Sequence, residues 1–210
     1  NSLLTRVSAL YHDIGKSRRP SHFVENQIEG VNPHDRLDPH SSAQIIIDHV
    51  RDGDTMARRH RLPSIIRAAI MEHQGTLTTM YQYQNALEDT SEDIGDIDIK
   101  DFTYPGPKPQ SRETALLMLA DGCEAKARAE LPHSEDEIGE IVGHIITRIV
   151  QHGQLNECSL SLADLEKVRM SFVNTLKGFY HSRLKYPSET LPDATLEKPI
   201  ESSRDTPPDS

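Results

Sequence analysis

Five apolar residues in a row, Leu116-Leu117-Met118-Leu119-Ala120, run straight into Asp121, inside a stretch that reads as one helix from Arg112 to about Glu130. An unpaired carboxylate in so apolar a helix is severely unfavourable. The fold must therefore bring Asp121 a partner, or turn it to the surface beside Lys126 or Arg128. Four other polar residues sit on apolar helical stretches. His12 and Asp13 end a helix that starts at Ser2, His49 lies on one that starts at Pro39, and His73 is near the end of one that starts at Ser64. A bundle can point all five inward at one site, which is how helical cores build metal centres. Imidazole nitrogen with carboxylate oxygen suits Mn, Fe or Zn. The bland alternatives are a capping Asp13 beside a half-buried His12, and a satisfied core histidine at His49.

The remaining pattern is helical and predicts an all-α bundle. Leu3, Leu4, Val7 and Leu10 have helical spacing ahead of His12. Asp38-Pro39 is an N-cap followed by a first-turn proline, and the helix runs through Ala43, Ile46, Ile47 and Val50. Asp52-Gly53-Asp54 is expected to interrupt it, with Thr55 to Arg61 resuming as a solvated face. Leu62-Pro63-Ser64 opens the next helix, stopped by Gly75, and Thr76 to Leu87 reads as another. Glu88 to Asp101 is acidic and reads as a mobile loop. Ser111 starts the Asp121 helix, Ser134 with Glu137 forms a capping box for a helix to Gly153, and Ser161 caps a last helix from Leu162 to Leu184. A second His-Asp pair, His34-Asp35, follows Pro33 in a polar stretch and reads as a loop or lid. Residues 1–186 form the expected domain, and 187–210, Pro, Ser, Asp and Glu without a period, an expected disordered acidic tail.

Composition narrows the function. A net charge of -10 argues against a nucleic-acid polymer as partner, though not against a small phosphate substrate, since metals supply local positive charge. Cys123 and Cys158 are too few and too far apart for a disulfide scaffold or a zinc ribbon and fit a reducing compartment. No apolar run approaches membrane-spanning length. With no initiator Met and an opening in mid-helix, the chain reads as an excised domain.

The order His12-Asp13, His49, His73, Asp121 resembles the HD-domain metal-dependent phosphohydrolases. The likeness is carried by Ala9-Leu10-Tyr11-His12-Asp13-Ile14-Gly15-Lys16, Glu25-Asn26-Gln27, Asn32-Pro33-His34-Asp35, Ile46-Ile47-Asp48-His49-Val50, Glu72-His73-Gln74-Gly75-Thr76, the proline-rich Tyr104 to Ser111 and Met118-Leu119-Ala120-Asp121. These stretches are most similar to the cytosolic HD domain of seven-transmembrane receptor-type, PgpH-like cyclic di-AMP phosphodiesterases.

The resemblance implies an HD-domain helical bundle with two divalent ions, Mn or Fe. It implies hydrolysis of a cyclic dinucleotide, cyclic di-AMP to pApA, by a metal-bridged hydroxide. It also implies a membrane-tethered parent with the domain at the cytoplasmic face of a bacterial membrane. Carried over, one metal uses His12, Asp13 and Asp121 and the other His49 and His73, with Asp13 bridging and catalytic. Lys16 is the second catalytic candidate, neutralising a phosphate oxygen, or else a helix-end lysine facing the macrodipole.

Two departures stand out. The family's first histidine ligand comes from a helix upstream of His12 that this chain lacks, which predicts a weakened first metal site, and Gln74 stands where the family commonly has a second consecutive histidine, which predicts a second site that is weaker or completed by water. Tyr81, Tyr83 and Tyr104 are candidates for adenine stacking, Lys108 and Gln110 for phosphate or base edges, and His22, His34 and His40 for other substrate contacts. The competing readings are an HD phosphohydrolase acting on another nucleotide or on guanosine polyphosphates, and a ligand-binding or sensory module with weakened catalysis. The sequence offers no reading of oligomeric state.

Overall fold

Helix starts specified by capping chemistry set out most of the architecture in the computed structural model, which describes residues 1–27, 31–89 and 97–180. The helices are α1 (Ser2–Tyr11), α2 (Pro39–Arg59), α3 (Ser64–Glu72), α4 (Met80–Glu88), α5 (Arg112–Glu130), α6 (Glu135–Gln151) and α7 (Leu162–Tyr180). Short 3-10 turns fill much of the link from α1 to α2, and among the described residues the β structure is one isolated bridge, Thr78 to Thr103. The Asp38 carboxylate accepts from the Ser41 N–H, and Ser111 and Thr114 satisfy each other's backbone in a capping box. Ser134 caps Glu137 as expected, but the Glu137 carboxylate reaches back to the His133 N–H instead of to Ser134.

Expectations fail in two regions, each because of a contact distant in sequence. Helix α2 runs unbroken through Asp52-Gly53-Asp54. The 3-10 turn Ile14–Arg18 lies across it at Gly53. A Cβ on Gly15 would fall 1.8 Å from the His49 carbonyl oxygen and 2.6 Å from the Gly53 nitrogen. Here the two glycines serve close backbone approach, not a helix break. The stretch expected as a solvated face carries the fully buried Ala57, and Asp54 pairs with Arg58 and with Arg67 of α3. Second, α4 starts at Met80 and not at Thr76. The preceding residues are tied to the chain around Phe102, with the Thr79 N–H donating to the Phe102 carbonyl and the Tyr104 N–H to the Leu77 carbonyl. The acidic stretch expected as a mobile loop leads into an ordered 3-10 turn, Ile99–Phe102, whose Phe102 is fully buried. Residues 90–96 of that stretch, 181–184 of the last predicted helix and the whole expected tail lie outside the described residues.

Three apolar clusters hold the helices together. Met118, Leu119, Cys123, Val142, Ile145 and Leu165 join α5, α6 and α7. Ala43, Ile47, Val50, Ala86, Phe102 and Tyr104 join α2, α4 and the Phe102 turn. Ala57, Ile66 and Ile70, with Leu4, Val7 and Ile14 against them, join α1, α2 and α3. Each large side chain buried here contributes about 1.5–3 kcal/mol. The helices that carry His12, His49, His73 and Asp121 are thus each fixed by one of these clusters, and their polar residues meet between them.

Candidate metal centre

His12 and His73 occupy the position just past α1 and α3, while His49 lies inside α2. All three orient their rings alike. Nδ1 of His12 donates to the Ala9 carbonyl at 2.9 Å, that of His49 to the Ile46 carbonyl at 2.5 Å, and that of His73 to the Ile70 carbonyl at 2.8 Å. A carbonyl can only accept, so Nδ1 carries the proton in each ring and Nε2 is the nitrogen turned to the site. The anchoring carbonyl lies three residues back each time, a relation that helical geometry supplies without further residues.

The three Nε2 atoms converge on Asp13. Asp13 Oδ2 lies 3.1 Å from His12 Nε2, and Oδ1 lies 3.3 Å from His49 Nε2 and 3.5 Å from His73 Nε2. Asp121 Oδ1 approaches His12 Nε2 at 3.7 Å. His49 and His73 face each other Nε2 to Nε2 at 3.1 Å. His12 Nε2 and Asp13 Oδ1 are buried without a hydrogen-bond partner, and His12, Asp13 and His73 each place one ligand atom within 4.8 Å of the others. Orphaned buried nitrogen and oxygen atoms, aimed at one another and drawn from imidazoles and carboxylates, fit a divalent cation, which would accept all of their lone pairs at once.

Charge within the cluster is strongly coupled. Burial pushes the Asp13 carboxyl up, but His12, His49 and His73 outweigh it and hold it well below the usual carboxylate range. Burial would lower His12, and the nearby negative carboxylates of Asp121 and Asp13 raise it instead, to about 10. His73 is fully buried and shifted down, chiefly by desolvation. Asp121 is held below its usual value, with burial opposing and His12 the main stabiliser.

All five residues expected as metal ligands therefore meet in one place, and the surface alternative for Asp121 is excluded: Lys126 pairs with Glu130, and Arg128 with Glu124. Lys16 is adjacent. Its ammonium lies 2.7 Å from Asp13 Oδ2 and 2.8 Å from Glu25 Oε1, and 5.3 Å above the Phe23 ring.

The suggested substrate contacts fare differently. Tyr81 is exposed, Tyr83 packs on Phe102, and Tyr104 is a core residue edge-on to His49. Gln110 is engaged by Glu157 and the Lys108 carbonyl. His34 is held between the Ser42 hydroxyl and the His22 carbonyl, and His40 lies against Phe102.

Several supporting residues escaped the sequence reading. Gln74 Nε2 donates to Asp121 Oδ2 at 2.9 Å, so the residue read as a missing ligand orients a present one. A carboxylate oxygen can only accept, which fixes the amide with its nitrogen toward Asp121. Glu72 is buried and accepts from the Gln110 N–H and the Thr114 hydroxyl, clamping α3 to the start of α5. The signal was there: Glu72 sits beside His73 on an apolar helix, as Asp121 does on α5. Gln154, also buried, accepts from the Thr76 N–H and closes the turn after His73, where Gly75 has φ +52° and a Cβ would strike the Gln154 amide at 2.4 Å.

Comparison with known proteins agrees with this geometry. A model of the HD domain matches residues 1–126. The chain is 40% identical over 189 residues to the cyclic-di-AMP phosphodiesterase PgpH of Listeria monocytogenes serotype 1/2a (strain 10403S), covering 90% of this chain and 26% of that protein. It is 40% identical over 190 residues to the protein of the same name from Bacillus subtilis (strain 168), again covering 90% and 26%. It thus spans about a quarter of the length of these relatives. The crystal structure of the L. monocytogenes PgpH HD domain superposes with a TM-score of 0.80 at 39% identity, over 86% of this chain and 83% of that one. The same domain in complex with cyclic-di-AMP gives 0.81 at 39% identity, over 86% and 82%. Helices that converge a His-Asp pair, two further histidines and an aspartate, together with these matches, establish that the chain belongs to the HD-domain family.

Proposed function

We propose that this domain is a metal-dependent phosphodiesterase that opens a cyclic dinucleotide, cyclic di-AMP to linear pApA, with two divalent ions, Mn or Fe, held by His12, Asp13, His49, His73 and Asp121. The observation that carries this reading is the division of Asp13: Oδ2 faces His12, and Oδ1 faces His49 and His73, an arrangement that would let one carboxylate serve two ions. The relatives named as cyclic-di-AMP phosphodiesterases, and the similar domain with cyclic-di-AMP bound, support the substrate. When bound, such ions supply Lewis acidity and make water acidic enough to attack a phosphodiester near neutral pH.

The protein's own groups do the positioning. Lys16, held by Glu25, brings a fixed positive charge beside Asp13 for a non-bridging phosphate oxygen, and catalysis by such preorganised charge needs no rearrangement during reaction. Gln74 holds Asp121 in orientation. Phe23 and Tyr104 pack edge-on to His49 and keep water from its ring. With Gln74 turned to Asp121, an ion at His49 and His73 would have one imidazole fewer than the resemblance implies, and an ion at His12, Asp13 and Asp121 would likewise lack the upstream histidine, so both would be held more weakly than in a full family site. A membrane-tethered parent, with this domain at the cytoplasmic face of a bacterial membrane, is carried over from the resemblance to the PgpH-like proteins, about a quarter of whose length this chain spans. No described helix is itself long and apolar enough to cross a membrane.

The test is turnover of cyclic di-AMP, cyclic di-GMP and ppGpp by the Mn- or Fe-loaded domain. Preferred conversion of cyclic di-AMP to pApA is the expected result. Preference for ppGpp would replace the reading with that of another HD phosphohydrolase, and tight binding without turnover would favour a sensory module.

A further inference from the structure

A cleft of about 320 Å³ between α5 and α6 leads away from the candidate metal centre. Its inner end is formed by His73, Gln74 and Asp121, and its outer walls carry Lys126, His144 and Arg148. Three basic side chains gathered in one cleft are unexpected on a chain of net charge -10. They are not equivalent. Lys126 is occupied by Glu130, and His144 is exposed. Arg148 is half-buried, and its guanidinium makes neither an ion pair nor a hydrogen bond among the described residues. An arginine in such a place offers a planar set of donors matched to phosphate oxygens. Between the two ends the lining is apolar, with Met118 on α5 and Ile145 and Ile149 on α6. Gly122 brings the two helices into contact there, since a Cβ on it would lie 3.1 Å from Ile145 Cγ2.

An anion-binding group, an apolar floor and a mouth on a phosphodiester-cleaving centre describe a nucleotide subsite. The volume lies near the lower bound of roughly 300 Å³ for ligand pockets, which suits one nucleotide unit and not two. We infer that the α5–α6 cleft holds the half of the cyclic dinucleotide that does not react: Arg148 binds the phosphate that is not cleaved, and the neighbouring base rests on Met118 and Ile145. This rests on the phosphodiesterase reading. It moves recognition away from the tyrosines and from Lys108 and Gln110.

The experiment compares the unaltered domain with Arg148→Ala, Arg148→Lys and, as a control for lost charge, Arg128→Ala, whose side chain pairs with Glu124 and does not line the cleft. Two substrates are used with the Mn-loaded protein: cyclic di-AMP, and bis(4-nitrophenyl) phosphate, which has a single phosphodiester and no second phosphate. Arg148→Ala is expected to raise KM for cyclic di-AMP about tenfold with kcat changed less than about threefold, as for lost uniform binding. The small diester is expected to change less than about twofold, Arg148→Lys to recover part of the loss, and Arg128→Ala to match the unaltered domain. An unchanged KM, or a parallel loss on both substrates, overturns the proposal. Calorimetric binding of pApA separates it from the reading beneath it. Binding about tenfold weaker to Arg148→Ala supports the subsite even where cyclic di-AMP is not turned over, a result that would overturn the phosphodiesterase reading alone. Equal binding, or none by the unaltered domain, overturns the subsite.

Discussion

The dipeptide His-Asp occurs twice, and the two copies do opposite things. In His34-Asp35 every ring nitrogen is satisfied: Nδ1 meets the Ser42 hydroxyl at 2.8 Å and Nε2 the His22 carbonyl at 2.9 Å, while Asp35 accepts from the Asn32 amide. That pair staples a 3-10 turn to the start of α2. In His12-Asp13 only Nδ1 is satisfied by backbone, and His12 Nε2 and Asp13 Oδ1 are left buried and unpartnered, aimed at two more histidines. A motif of two residues says nothing by itself. What distinguishes a structural pair from a chemical one is whether the fold completes its hydrogen bonds or leaves them for something else.

The sharpest way to break this comparison is to neutralise each aspartate in turn. Asp13→Asn is expected to abolish stoichiometric Mn binding and lower turnover by about a thousandfold, the scale on which a charge-stabilising catalytic group acts. Asp35→Asn should change either by less than about twofold. Metal analysis and steady-state kinetics on both variants read this directly, and equal losses would erase the distinction.

Next in size is Gly15→Ala, which drives a Cβ into the His49 carbonyl oxygen and Gly53. It should cost about 3 kcal/mol in urea unfolding and displace the first pair from α2. A well-folded, fully metallated variant would show that the close approach does not position the site. His34→Ala should cost about 2 kcal/mol for its two hydrogen bonds while leaving metal content alone. A loss of metal there would make the second pair part of the centre. The smallest change is expected of Gln74→Ala, which frees Asp121 and should weaken Mn affinity about tenfold by titration calorimetry, as loss of a supporting hydrogen bond to a ligand does.

Much of the site was legible because hydropathy betrays it: a carboxylate after Leu116 to Ala120 and histidines on apolar helices have no cheap resting place unless they share one. Helix starts at Asp38, Ser111, Ser134 and Ser161 were legible for a similar reason, since capping chemistry is local. What escaped depends on partners far along the chain. Gly53 looks like a helix break until Gly15 is laid against it, and Gln74 looks like an absent histidine until Asp121 accepts from its amide. Phe102 follows an acidic stretch, yet the core closed by Ala43, Ile47 and Ala86 takes it in. Arg148 resembles any surface arginine in sequence, and only the fold places it in a cleft that opens at Asp121.

The central claim is that this convergence of imidazoles and carboxylates holds metal. Anomalous scattering from crystals of the Mn-loaded domain tests it most directly. The account predicts Mn peaks bounded by His12, Asp13 and Asp121 and by Asp13, His49 and His73, both lost in Asp13→Asn. Peaks elsewhere on the surface, or a cluster that stays metal-free while the dissolved enzyme turns over, would contradict it.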